Sequence, residues 1–255
     1  MASLTITLIG GPTALIELGG LRFLTDPTFE PPGEYASGAI TLTKLAGPAL
    51  AAADLGTIDA VLLSHDQHAD NLDPAGRALL GKAGRVFTTR AGAERLGGGA
   101  DGLAPWESRA LAAAGGRILT VTATPARHGP AGIEPIAGEV VGFVLSLEGA
   151  RPVYLTGDTV WYDGVAEVAR RFAAGVVMPF AGAAQTRGPF RLTMDTNDAI
   201  ETAHHFPGAT IVPLHHDGWA HFSQNSADFE KAFQTLGLGG RLRLPQPGAT
   251  VEIEL

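Results

Sequence analysis

Short apolar runs recur along the chain, and glycine or proline stands between most of them. The first three are TITLIGG (5–11), TALIEL (13–18) and LRFLT (21–25), rich in β-branched and apolar residues and parted by Gly-Gly or Gly-Pro. That pattern predicts three short strands joined by tight turns. Asp26-Pro27 ends the third. A proline- and glycine-rich stretch follows, from about Pro27 to Gly47, carrying Phe29, Tyr35 and Lys44. It is expected to be a loop, and a loop of that length inside a compact domain often has a functional role.

From Pro48 the pattern alternates between strand-like and helix-like segments. DAVLLS (59–64) reads as a buried strand, and Asp73-Pro74 before AGRALLGKAG as the start of a short helix with proline in its first turn. RVFTT (85–89) reads as a strand and RAGAERLG (90–97) as a helix closed by glycines. Strand-like runs return at 116–124, 139–148, 151–157, 175–180, 209–214 and 249–255. Helical spacing marks 162–173, 195–206 with an aspartate cap, and 223–236 with a serine cap. The order is a β-rich start, βα alternation, a second β block, and βα alternation again. It predicts an α/β protein with two similar halves packed sheet to sheet and helices outside. No linker separates the halves, so residues 1–255 are expected to form a single domain.

Composition narrows the chemistry. A hydrophobic fraction of 45% and a charged fraction of 17% over 255 residues suit a globular chain with a sizeable core. No cysteine is present, which excludes disulfides and thiolate metal sites, so any metal must be held by His, Asp or Glu. The N-terminal MASLTITLIGG lacks a basic segment before its apolar stretch, unlike a signal peptide, and no apolar run approaches the ~20 residues of a membrane span. The expectation is a cytoplasmic protein without membrane insertion. A net charge of −8 without a basic cluster argues against nucleic acid and for a small-molecule substrate. Self-association is left open.

Eight histidines are present, and their placement matters more than their number. His65 and His68 follow the DAVLLS strand in SHDQHADNLD, together with Asp66, Asp70 and Asp73, and Asp59 stands at the start of that strand. His128 follows the 116–124 strand, Asp158 the 151–157 strand, and His215 and His216 the 209–214 strand. Polar groups at the ends of several strands converge if the strands lie side by side. Imidazole and carboxylate together suit zinc, with manganese or iron as further fits. His204 and His205 fall near the C-terminus of a helix and read as structural or surface residues. His221, in WAHF, reads equally as pocket lining or bystander.

In this order of motifs the sequence resembles the metallo-β-lactamase fold superfamily. The matching segments are TDP (25–27), SHDQHADNLD (64–73), ARH (126–128), GDT (157–159) and PLHHDGW (213–219). Within it, GPTALIELGGLRFLTDPTF, the TMD at 193–195 and the closing P-x-H are similar to the branch of L-ascorbate-6-phosphate lactonase-like proteins and N-acyl phosphatidylethanolamine phospholipase D. The resemblance implies a four-layered αββα sandwich with a metal site at one edge of both sheets. It implies His65, His68, Asp70, His128, Asp158 and His215 as metal ligands, with Asp158 bridging two ions and Asp26 supporting the site from behind. One motif departs: the superfamily reads H-x-H-x-D-H, whereas this chain has an extra residue and Asn71 where the last His would stand. The second ion then lacks an imidazole unless Asn71 or Asp66 substitutes, so one or two ions per chain are expected.

The implied activity is hydrolysis of an ester-type bond, in a lactone or a phosphodiester, by a metal-activated water. Asp70 would orient the water or take its proton, and His215 or His221 would assist the departing group. Arg127, Arg187 and Arg191 are candidates to hold a carboxylate or phosphate. Phe29, Tyr35, Trp161, Phe190 and Trp219 are candidates for an apolar pocket wall. The alternative is a non-catalytic member of the fold that binds a small molecule or a partner protein.

Overall fold

The computed structural model describes residues 2–255. In chain order the strands are β1 (Ser3–Gly10), β2 (Thr13–Leu18), β3 (Leu21–Thr25), β4 (Gly33–Ser37), β5 (Ile40–Lys44), β6 (Ala60–Leu62), β7 (Val86–Thr88) and β8 (Asp101–Gly102). They continue as β9 (Ser108–Ala112), β10 (Ile118–Pro125), β11 (Val141–Leu147), β12 (Val153–Leu155), β13 (Val176–Met178), β14 (Thr210–Ile211) and β15 (Thr250–Glu254). The helices are α1 (Pro74–Leu80), α2 (Arg90–Leu96), α3 (Glu134–Ala137), α4 (Asp163–Arg171), α5 (Thr196–His205) and α6 (Ser226–Thr235). No helix among the described residues is long and apolar enough to cross a membrane.

Two large sheets form, in the orders β15-β1-β2-β3-β6-β7-β8 and β14-β13-β12-β11-β10-β9. Each is antiparallel in one half and parallel in the other. The switch falls at β3–β6 in the first sheet and at β12–β13 in the second. Alternating side chains along the strands separate three apolar layers. Leu4, Ile6, Ile16 and Phe23 of the first sheet meet Leu119, Phe143, Leu145 and Met178 of the second in the central core. Val144, Tyr154 and Val177, on the opposite face, pack under α4, α5 and α6 through Val165, Ala203, Phe229 and Phe233. Leu15, Leu24 and Val61 pack outward against Leu79 of α1. The result is the expected αββα sandwich.

Local sequence explains most helix ends. Asp73 caps α1 by accepting from the Gly76 amide, with Pro74 next to it, and Thr89 caps α2 through the Gly92 amide. Two expectations need correction. The stretch from Pro27 to Gly47 is not one long loop: β4 and β5 pair as an antiparallel hairpin, Ser37 opposite Ile40. Its base is fastened by the buried Lys44–Asp73 pair and by a bridge from Lys44 to Trp219. The last long helix begins at Ser226 rather than Ser223 and is capped by Asn225, which forms a capping box with Asp228. The Ser223 hydroxyl is committed elsewhere, donating to the Ala183 carbonyl.

Candidate metal centre

The strand ends on one edge of both sheets carry the polar groups. β3 and β6 run parallel, so Asp26 and the 64–71 loop emerge together. β10 and β12 flank antiparallel β11 and so share a direction, which brings His128 and Asp158 to the same side. Gly157 makes the turn before Asp158: its φ is 62°, and a Cβ there would stand 2.6 Å from the Val141 carbonyl oxygen. A parallel bridge from Phe180 to Leu214 carries the second sheet to His215. Asp26 and His215 both adopt left-handed backbone, φ 24° and 57°, which non-glycine residues hold only where the surroundings fix them.

Three imidazoles meet first. His65 Nε2 lies 2.8 Å from His68 Nδ1, which lies 3.1 Å from His128 Nε2. His128 Nε2 is 3.4 Å from Asp158 Oδ2. The opposite ring nitrogens set the tautomers. His128 Nδ1 donates to the Leu192 carbonyl at 2.8 Å, and His65 Nδ1 sits 3.0 Å from Ser64 Oγ, which donates to Asp26. The Nε2 lone pairs of His65 and His128 are therefore left pointing inward, as outer-shell hydrogen bonds do for metal-binding histidines. Ligand atoms of His65, His68, His128 and Asp158 all fall within 4.8 Å of one another.

A second group adjoins the first. His215 Nε2 is 3.4 Å from Asp70 Oδ2 and 3.5 Å from Asp158 Oδ1. Bonds of ~2.0–2.1 Å in a tetrahedral shell put donor atoms ~3.3 Å apart, so these spacings suit a divalent ion. Asp158 Oδ1 and His215 Nε2 are buried without any hydrogen-bond partner. Such orphans are costly unless something positive lies between them. The residues present thus fit a metal ion, with Asp158 facing both groups.

Electrostatics agree. Burial pushes the His65 imidazole well below its ordinary range and those of His68 and His128 to about 4, so all three are neutral lone-pair donors near neutrality. Burial raises the carboxyls of Asp26 and Asp158 to about 7. Burial also works to raise Asp70, but the His215 imidazole close by and the hydrogen bond from His221 outweigh it and hold that carboxyl well below the usual range.

A sequence profile of the beta-lactamase superfamily domain matches residues 21–216. The chain belongs to the beta-lactamase superfamily. A UPF0173 metal-dependent hydrolase of Carboxydothermus hydrogenoformans is 27% identical, the match covering 96% of this chain and 98% of that protein. The UPF0173 protein YddR of Bacillus subtilis is 22% identical over 96% of this chain and 98% of its own length. Among solved structures, an isothiocyanate hydrolase from Delia radicum gut bacteria superposes with a TM-score of 0.85. It is 23% identical, covering 98% of this chain and all (100%) of that one. Igni18, a metallo hydrolase of Ignicoccus hospitalis, superposes with a TM-score of 0.75 at 20% identity over 99% of both chains.

Within this superfamily the departing motif has a clear local arrangement. Asp66 faces away from the centre and forms an ion pair with Arg95 at 2.5 Å, so it does not substitute for the missing imidazole. Gln67 is exposed and lies over Gly138. Asn71 donates its amide to Asp26 at 2.9 Å, leaving its Oδ1 buried and without a partner. Asp73 is structural, capping α1 and pairing with Lys44. His216 bonds to Ser226 and Asp217, while His204 and His205 lie on the last turn of α5. His221 sits at the centre, with Nε2 3.0 Å from Asp70 Oδ2.

Over the centre lies a narrow pocket. His68, Asp70, His128 and His221 form its floor, and Ile40, Leu42, Ala137, Ala184 and Leu192 its apolar sides. None of the five aromatic residues proposed from sequence borders it. Phe29 is in the core, Tyr35 bonds to the Pro31 carbonyl, Trp161 packs on His205, and Trp219 lies under Lys44. Phe190 packs beside Leu192. Sequence reasoning missed Ser64, whose position directly before His65 was the available signal, and the hairpin residues Ile40 and Leu42, signalled by alternation in ITLTK.

Proposed function

We propose that this protein is a metal-dependent hydrolase that cleaves an ester-type bond, foremost a lactone or small carboxylic ester. The observation that carries this reading is the convergence of buried imidazoles and carboxylates beneath a small, apolar-walled pocket. His65, His68 and His128 would hold one ion, Asp70 and His215 a second, and Asp158 would face both. Zinc suits this donor set best, with manganese or iron as alternatives. When bound, such ions lower the pKa of a coordinated water toward ~7 and polarise the oxygen of the bond under attack. Asp70, ionised near neutrality, would orient the attacking water and take its proton. His221, bonded to Asp70 and facing the pocket, would pass that proton to the departing oxygen. The apolar sides exclude bulk water and suit a substrate with a hydrocarbon part.

The isothiocyanate hydrolase superposes on nearly the whole chain, which supports a second reading: attack on the carbon of an isothiocyanate. The test combines metal analysis with a panel of lactones, p-nitrophenyl acetate, bis-p-nitrophenyl phosphate and allyl isothiocyanate. Metal bound at one or two ions per chain and turnover of a lactone or carboxylic ester are expected. Turnover confined to the isothiocyanate would replace the first reading with the second. Full metal loading without turnover of any member would favour a non-catalytic binding protein.

A further inference from the structure

Three arginines stand near the site loops, and the structure separates them. Arg127 donates to the Gly129 carbonyl at 3.1 Å, and its guanidinium stacks 4.4 Å from the Tyr162 ring. Arg191 donates to Gln185 and Ser223 at 2.9 and 2.8 Å and reaches Asp195 at 4.0 Å. Both are occupied in holding loops. Arg187 is different: it is half-buried, borders the pocket above the centre, and forms no hydrogen bond or ion pair among the described residues. Its neighbour Thr186 also faces the pocket. Its guanidinium lies across from the β4–β5 turn, since a Cβ added to Gly38 would stand 3.7 Å from it. Arg187 therefore reaches from the 181–192 loop toward the hairpin, over the pocket mouth.

The chain has 26 acidic residues against 18 basic, and it pairs other arginines readily. Arg22, Arg95, Arg109 and Arg171 each meet a carboxylate. Among the described residues no carboxylate pairs with Arg187, although its charge is felt at His68 and would be felt more by ions held below it. A guanidinium facing a cationic centre is repelled unless an anion lies between or beside them.

Building on the hydrolase reading, we propose that Arg187 binds an anionic end of the substrate, so that the natural substrate is a small ester or lactone bearing a carboxylate. The carboxylate is held in bidentate fashion at the mouth, the hydrocarbon lies along Ile40, Leu42 and Leu192, and the bond to be cleaved rests over His68 and Asp70. Arg187 selects the substrate and takes no part in the bond-breaking step.

The test compares mono-p-nitrophenyl glutarate with its uncharged counterpart p-nitrophenyl valerate on the metal-loaded protein. Glutarate binding is measured alongside by calorimetry. The wild type is expected to favour the anionic ester in kcat/KM, chiefly through KM, by ~10-fold or more, as charged hydrogen bonds typically allow. Arg187→Gln should collapse that preference toward unity and weaken glutarate binding by a similar factor. Arg187→Lys should keep part of it, and Arg170→Gln, on the exposed face of α4, all of it. An equal rate loss for both esters in Arg187→Gln, or unchanged glutarate binding, overturns the assignment. Failure of both esters with glutarate binding still dependent on Arg187 overturns the ester reading instead and leaves the anion site standing.

Discussion

The two halves of the candidate metal centre are built differently. On one side, His65 and His128 each have the outward ring nitrogen held, by Ser64 Oγ and the Leu192 carbonyl, and the inward nitrogens gather with His68 at 2.8 and 3.1 Å. On the other, both ring nitrogens of His215 and one oxygen of Asp158 are buried without partners, and His215 sits in left-handed backbone. Asn71, next to Asp70 in the chain, turns its amide to Asp26. On the proposed metal-binding reading, the first half is organised ahead of any ion, while the second would be completed by the ion it binds. The contrast implies ordered loading, the three-histidine half binding tightly and the Asp70–His215 half weakly.

The harshest way to break this picture is through Asp70, which belongs to the second half and to the chemistry. Asp70→Ala should retain the fold and one tightly held ion while turnover falls by ~10²–10⁴-fold, the span typical of a lost proton-handling group. Circular dichroism, metal analysis and steady-state kinetics on one preparation check it. Unchanged turnover would remove Asp70 from the mechanism. Loss of both ions would show that the halves do not load independently.

Metal removal comes next. Exhaustive chelation should destabilise the chain, because ions bind the folded site and not the unfolded chain. At free ion of ~10²–10³ times Kd the linkage is about 3–4 kcal/mol, visible as a lower midpoint in thermal melts. Titrating zinc back should restore most of the stabilisation with the first equivalent. Equal gains from two equivalents would erase the asymmetry.

Outer support should matter less. Ser64→Ala removes the hydroxyl between Asp26 and His65 while leaving every proposed ligand residue in the chain. Affinity at the three-histidine half should drop by ~10–100-fold, as for other outer-shell partners. Competition with a chromophoric chelator measures it. A drop confined to the weaker ion would reverse the assignment of tight and weak halves.

Much of this centre is legible in the sequence because its ligands follow apolar strands whose direction is set by simple periodicity. His65, His128, Asp158 and His215 each stand just past such a run. What pins them is not legible. The Leu192 carbonyl meets His128 across 64 positions, and Asp26 meets Asn71 across 45. The pocket walls are hidden for a related reason. Ile40 and Leu42 belong to a hairpin amid proline and glycine, held by Lys44–Asp73 and by the Ala220 amide on the Thr43 carbonyl. The start of α6 misleads because Ser223, a good cap by composition, is drawn to the Ala183 carbonyl, and the Asn225–Asp228 box takes over.

The smallest expected effect is the response of metal affinity to pH, and it concerns the residue both halves share. Histidines would be the usual cause of a change near pH 6.5. Here burial holds His68 and His128 at about 4, so they lose their protons well below neutrality and add nothing between pH 6 and 8. Asp158, raised by burial to about 7, keeps its proton in the empty site below that pH. A ligand must be ionised to bind, so an ion entering below pH 7 must displace that proton. The carboxylate contribution to apparent affinity should therefore fall as pH drops below about 7, by at most ~10-fold per unit per proton, and be complete above it. Calorimetry at pH 6 in buffers of different ionisation enthalpy should show about one proton released, with Asp26, also raised to about 7, adding to it. At pH 8 the carboxylates should release almost none, and what release remains should come from ionisation of ion-bound water. Asp158→Asn should remove most of the slope and Asp26→Asn the remainder. A slope that survives both variants would place the proton on an imidazole instead of a carboxylate.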